Sequence, residues 1–194
     1  DWSSDVCSSD LAQVGIVRGL AWTSVGGDTL QIEVNVMPGK GVLQMTGQMG
    51  DVMKESAQIA LTYVRSVASD YGVKENYFEK HDIHLHIPEG AVPKDGPSAG
   101  ITMATAMLSA VTGRKVLPRV AMTGEITLRG HVLMIGGLKE KLLAARMAQV
   151  EKVLVPAKNQ PDVEELSKEI TKGMEIVYIK EMNEVIREAF VPEK

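Results

Sequence analysis

One cysteine, Cys7, is present among 194 residues, so no internal disulfide can form and a reducing compartment is the simpler setting. The polar, acidic N-terminus carries no secretory signal. Lys and Arg number 21 against 25 Asp and Glu, for a formal net charge of -4, and they nowhere cluster with interleaved aromatics. That balance speaks against a nucleic-acid partner. Also missing is G-x-x-x-x-G-K-[ST], so there is no phosphate-cradling loop for ATP. Residues 96–113 carry no charge, a length at the lower edge of a membrane span, but they are rich in Gly, Ser, Thr and Ala and closely flanked by charge. A buried helix explains them better than a bilayer does. No internal repeat or low-complexity linker divides the chain. What remains is an ordinary globular composition, 44% hydrophobic and 24% charged, long enough for one well-packed domain.

The first ten residues, "DWSSDVCSSD", repeat a Ser-Ser-Asp unit and follow neither helical nor strand periodicity. Residues 1–10 are therefore expected to be disordered or non-native, Cys7 with them, and residues 11–194 to form the domain. Residues 14–25 then read as extended, "VGGDT" as a glycine-rich turn, and "LQIEVNVMPG" as the returning strand. In that strand Leu30, Ile32, Val34 and Val36 share one face, and Gln31, Glu33 and Asn35 the other. A short strand "VLQMTG" precedes a helix capped by Asp51 and ended by Gly72. "DIHLHIPEG" alternates again, with Ile83, Leu85 and Ile87 opposed to His84 and His86. The next helix begins within "PKDGPSAG", with Pro97 suited to its first turn, and runs to about Val111. "VAMTGEITLRGHVLMIGG" reads as two strands about a turn, and "LKEKLLAARMAQ" as a helix. "KVLVP", a helix from about Pro161, "EIVYI" and a helix from about Glu181 complete a parallel βαβ unit. The fold class expected is mixed α/β (α+β), with N-terminal β-hairpins followed by βαβ units.

"PKDGPSAG" surrounds Ser98 with two prolines and two glycines. One reading is a serine that caps a helix. The other is a hydroxyl beside free backbone N–H groups at a positive helix end, which would stabilise an oxyanion. A nucleophilic serine also needs a base. Of four histidines, His81 lies in a polar loop and His131 near a glycine turn. His84 and His86 share a strand face, where H-x-H spacing suits a metal but no third ligand is apparent. Lysine is better placed. On a helical wheel Leu138, Lys141, Leu142, Ala145 and Ala148 fall within an arc of about 120°, whereas Lys139 and Glu140 point elsewhere. Lys141 either snorkels from the edge of that arc or is buried. Burial would lower its pKa from about 10.4 toward roughly 7–8, at a cost on the order of 4 kcal/mol. A neutral amine near working pH is what a general base requires, and a Ser-Lys dyad is a variant of the serine triad.

"GLAWT", "VGGDTL", "DIHLHIPEGAVPKDGPSAG", "MTGEITLRG" and "GGLKEKLLAA", in this order and with Lys141 43 residues beyond Ser98, closely resemble the proteolytic domain of bacterial ATP-dependent Lon protease. The resemblance spans residues 11–194, and the serine motif is similar to that of the soluble A-type members. It implies the Lon proteolytic-domain fold and a serine endopeptidase that hydrolyses unfolded or damaged polypeptides in protein quality control and stress response. Ser98 would be the nucleophile, Lys141 the general base, and Thr123 a hydrogen-bonding group that orients the lysine. Asp95, Gly96 and Pro97 would shape the oxyanion and substrate region, with no metal. A homohexameric ring with inward-facing sites and a cytoplasmic location are further implications, with no nucleic-acid or membrane partner. ATP and Mg would belong only to an ATPase part that these residues do not contain, so the chain alone is expected to cleave short or unfolded peptides. Two residues depart from the family pattern: Met134 stands where "LPIGG" is commoner, and Gln149 replaces a glycine. Two rivals remain, a non-proteolytic ring-forming scaffold and a metal-dependent hydrolase centred on His84 and His86.

Overall fold

A computed structural model describes residues 10–194, so the expectation for residues 1–10, Cys7 included, falls outside them except at Asp10, which pairs with Arg119 at 3.1 Å. β1 (Ile16–Thr23) and β2 (Gly26–Pro38) form an antiparallel hairpin. Ile32 and Val34 are buried while Gln31 and Asn35 are exposed, which is the alternation read from the sequence. The turn is tighter than that reading had it: Thr23 pairs with Gly26 across Ser24 and Val25, and the glycines lie in the returning strand. Gly27 serves a close approach instead, because a Cβ there would overlap the Glu140 carbonyl oxygen.

β3 (Leu43–Thr46) leads into α1 (Asp51–Val67), which continues as a 3₁₀ turn and stops at Gly72 with φ 79°. The short α2 (Tyr77–Lys80) precedes β4 (His81–His86). A long irregular segment then enters α3 (Gly100–Thr112), which ends at left-handed Gly113. Three strands follow where the sequence suggested two. β5 (Val120–Met122) joins the large sheet, while β6 (Glu125–Ile126) and β7 (Val132–Leu133) make a separate ribbon. α4 (Leu138–Met147) and β8 (Lys152–Pro156) come next. The helix expected from about Pro161 is divided into α5 (Gln160–Glu164) and α6 (Lys168–Thr171) before β9 (Glu175–Ile179) and α7 (Met182–Ala189).

The seven-stranded sheet runs β3-β4-β2-β1-β5-β8-β9. β1, β5, β8 and β9 are mutually parallel, and β2 is antiparallel to both of its neighbours. β3 lies parallel to β4, because α1 carries the chain over between them, so a single hairpin opens the mixed α/β fold. Both faces of the sheet are covered. Along β5, Val120 and Met122 enter one core and Ala121 the other. The larger core joins α1, α3 and α7. The smaller joins Leu20, Val153 and Val155 to Leu138, Leu142 and Ala145 of α4. The uncharged stretch supplies α3, in which Ile101, Met103 and Met107 are wholly inaccessible, each contributing about 1.5–3 kcal/mol by burial. Among the described residues no helix is long and apolar enough to cross a membrane.

Candidate active site

Ser98 stands before a helix and not on it. The first residue of α3 is Gly100, whose N–H donates to the Pro97 carbonyl at 3.2 Å, so Pro97 and Ser98 form the turn that enters the helix. The glycines account for this shift. Gly96 has a φ of 114°, which redirects the chain, and Gly100 sits so close to Ile126 and Ser56 that a Cβ would collide with both. The Ser98 carbonyl accepts from the Gly124 N–H at 2.8 Å and from the Thr123 hydroxyl at 3.5 Å. Its own hydroxyl has no hydrogen-bond partner among the described residues, and neither do the backbone N–H groups of Ser98 and Ala99. The side chain does not cap α3.

Lys141 comes from the opposite layer. It is 3% exposed, set with Leu138, Leu142 and Ala145 on the face of α4 that packs onto the sheet, so of the two possibilities its wheel position allowed, burial is the one observed. Its amine donates to Thr123 Oγ1 at 3.2 Å, and among the described residues no carboxylate pairs with it. Burial alone lowers its pKa from 10.5 to about 8. Thr123, just beyond the carboxyl end of β5, is fully buried and stands between the two residues: it accepts from Lys141 and donates to the Ser98 carbonyl. No hydrogen bond joins the Ser98 hydroxyl to the Lys141 amine directly. Both residues line one open cleft of about 1250 Å³, whose lining also includes Trp22, Met134, Pro88 and Val92. Its place outside a parallel strand's carboxyl end is where ligands bind in α/β sheets.

The remaining residues singled out in the sequence divide in two. Asp95, Gly96 and Pro97 adjoin Ser98, but the Asp95 carboxylate faces α1, accepting from the N–H groups of Met53 at 2.9 Å and Gly96 at 2.8 Å. Those donors hold its pKa below the usual carboxylate value. Asp95 thus caps α1, where the sequence suggested Asp51, and the Gly96 N–H is already engaged. Pro97 lines the cleft. The histidines lie elsewhere. His84 Nε2 and His86 Nδ1 both bond Thr46 Oγ1, at 2.9 and 2.6 Å, His81 stacks on Tyr77, and His131 pairs with Glu181. Among the described residues no group of three His, Cys, Asp or Glu side chains is placed to hold a metal.

Comparison with known proteins bears on the whole of this arrangement. Residues 4–192 match the model of the Lon protease (S16) C-terminal proteolytic domain. The chain belongs to this family. It is 67% identical to the Lon protease of Lachnoclostridium phytofermentans over 184 residues, which is 95% of the chain and 23% of that protein. Identity to the Lon protease of Heliobacterium modesticaldum is 58% over 180 residues, covering 93% and 22%. Lon protease 1 of Bacillus subtilis is 56% identical over 182 residues, covering 94% and 24%. The chain therefore spans just under a quarter of the length of these relatives.

Three residues that shape the cleft of this Lon proteolytic domain escaped the sequence reading. Gly27 lets β2 lie against α4 at Glu140, the residue before Lys141. Gly137, left-handed at φ 67°, opens α4 and admits the Trp22 side chain against its bare Cα. Asn159, wholly buried, accepts from the Ile135 N–H at 3.0 Å and donates to the Ile135 carbonyl at 2.8 Å, fixing the segment that leads from β7 into Gly136 and Gly137. The glycine pair was visible as a motif, but nothing in the sequence marked Asn159. The Lon-family departure at Gln149 also has a structural counterpart: its φ is 57°, a conformation that glycine adopts without strain. Met134 is 55% exposed on the cleft wall.

Proposed function

We propose that this chain is the proteolytic part of an ATP-dependent Lon protease and hydrolyses peptide bonds in unfolded polypeptides with Ser98 as nucleophile and Lys141 as general base. The observation that carries the reading is Lys141 itself, a buried amine whose pKa is brought to about 8 by desolvation and whose one hydrogen bond among the described residues leads to Thr123 beside Ser98. A fold that holds a lysine at such cost, in the cleft where an unpartnered serine hydroxyl sits, is built for proton transfer. At pH 7 roughly a tenth of the amine is neutral, and near pH 8 about half of it is.

In this mechanism rotation about the Ser98 side-chain bond brings Oγ to the Lys141 amine as substrate fills the cleft. Oγ attacks the scissile carbonyl carbon while its proton passes to Nζ. The oxyanion accepts from the N–H groups of Ser98 and Ala99, which have no other acceptor among the described residues. The Lys141 ammonium then protonates the leaving amine, and an ester to Ser98 remains. Water attacks that ester, giving its proton to Nζ, and Ser98 is regenerated with the ammonium as the source of its proton. Thr123 keeps the amine pointed at the serine throughout. ATP and Mg act in a separate ATPase portion. A homohexameric ring and a cytoplasmic location accompany this reading, as does a role in the stress response.

The test is hydrolysis of a fluorogenic peptide and of unfolded casein, without ATP, by the wild type, Ser98→Ala and Lys141→Ala, with a chelator control. Activity in the wild type alone, unaffected by chelator, supports the dyad. Substantial turnover by either variant, or loss to the chelator, overturns it.

A further inference from the structure

Between β4 and Ser98 the chain runs through residues 87–97 without helix or strand, carrying Pro88, Gly90, Pro93, Gly96 and Pro97. Ile87 is wholly buried, but from Pro88 onward the segment lines the cleft and leads to Ser98 while burying little: Val92 is 51% exposed. Apolar packing therefore does not fix its course. Polar contacts do, and three of them converge on one side chain. The Lys94 ammonium donates to the carbonyls of Gly47 at 2.9 Å, Glu89 at 2.7 Å and Val92 at 2.8 Å. An ammonium has three N–H bonds, and all three are engaged. The backbone of the same residue is clamped as well, its N–H donating to Gln48 at 3.0 Å and its carbonyl accepting from Gly50 at 2.7 Å.

We propose that Lys94 is a positioning residue for Ser98, its ammonium tying the cleft wall at Glu89 and Val92 to the turn after β3 and so fixing the start of the run that ends at the serine. Asp95 follows directly, anchored on Met53 and Gly96, which leaves Pro97 between that anchor and the hydroxyl. The alternative, that Lys94 binds a substrate carboxylate, leaves no N–H to do so. A tetrahedral ammonium suits three converging carbonyls, whereas the planar fork of arginine does not. No carboxylate forms an ion pair with Lys94 among the described residues; desolvation lowers its pKa and the nearby charge of Glu89 opposes that shift.

The inference rests on the peptidase reading, and its test separates the two. In a Cys7→Ser background, Lys94→Cys is alkylated either with 2-bromoethylamine, which restores an ammonium of nearly lysine length, or with 1-bromopropane, which restores length without charge. Two readouts are taken: kcat and KM on a fluorogenic peptide, and hydrogen-exchange protection of amides in residues 87–98. The unmodified and propylated variants are expected to lose roughly 10²-fold in kcat with a smaller change in KM, as for a nucleophile displaced by about 1 Å. They also lose protection in this segment, and aminoethylation restores both. Retention of kcat within about threefold by Lys94→Cys, or equal rescue by the neutral alkyl group, overturns the proposal. Should the wild type cleave nothing, the peptidase reading fails by itself, and exchange alone decides on Lys94: protection lost and returned by the ammonium supports the staple, and unchanged protection overturns it.

Discussion

Replacing Lys141 with methionine is expected to abolish peptide hydrolysis and to make the protein more stable. The amine lies among Leu138, Leu142 and Ala145 with its pKa lowered from 10.5 to about 8, so folding disfavours its charged form by about 3 kcal/mol at about 1.4 kcal/mol per unit. Methionine has similar length and no charge to desolvate. The exchange removes one hydrogen bond, to Thr123, worth about 1 kcal/mol, and Thr123 keeps its bond to the Ser98 carbonyl. The net gain near neutral pH is about 2 kcal/mol, or roughly 4–8 °C in melting temperature for a domain of this size. The pH dependence distinguishes this cause from general repacking. Below about pH 8 the amine is protonated in both folded and unfolded chains, and the whole penalty is present. Between about 8 and 10.5 the unfolded chain binds more protons, so wild-type stability rises with pH while the variant's does not. Urea unfolding of both proteins near pH 7 and near pH 10 measures the two differences. A variant less stable than the wild type near pH 7, or a stability gap that does not shrink on going to high pH, would refute the argument.

The same amine sets the pH dependence of turnover. kcat/KM on a fluorogenic peptide should rise with pH through a midpoint of about 8, and a flat profile from neutral pH upward would exclude Lys141 as the base. Gly27→Ala should cost about 1–3 kcal/mol and most of the activity, because the new methyl overlaps the Glu140 carbonyl and pushes α4 from β2; unaltered thermal unfolding and turnover would contradict that contact. Asp95→Ala should lower the melting temperature near neutral pH. The difference should close as acid protonates the wild-type carboxylate below its ordinary range, since a depressed carboxyl pKa stabilises only above that range. A melting difference that persists in strong acid would point to a cause other than the carboxylate.

Side chains that face a core were legible from periodicity. The alternation in β2 and β4 and the arc that buries Lys141 reflect the two spacings by which strands and helices present residues to one side, and both needed only local sequence. What the sequence hid was decided by distant neighbours. Gly26 and Gly27 read as a turn because glycine permits one, but the second is needed where α4 crosses the strand. Asp51 looked like the cap of α1, yet the acceptor arrives from Asp95 in a different loop. Pro97 seemed suited to the first turn of a helix that begins only at Gly100, where close contact with Ile126 and Ser56 leaves no room for a Cβ. Asn159 gave no signal because its hydrogen-bond partner Ile135 lies 24 residues away in the chain and meets it only in the fold.

The sheet keeps two cores apart, and the proposed nucleophile and base belong to different ones. Ser98 hangs from the layer of α3, Lys141 from the layer of α4, and Thr123 meets both at the end of β5. A newly made or partly unfolded chain with only one layer condensed thus carries half of a dyad. Chemistry waits for the second core. Under the proposed function this is an interlock against self-digestion: the molecule is harmless for as long as it is itself the kind of chain it would cut.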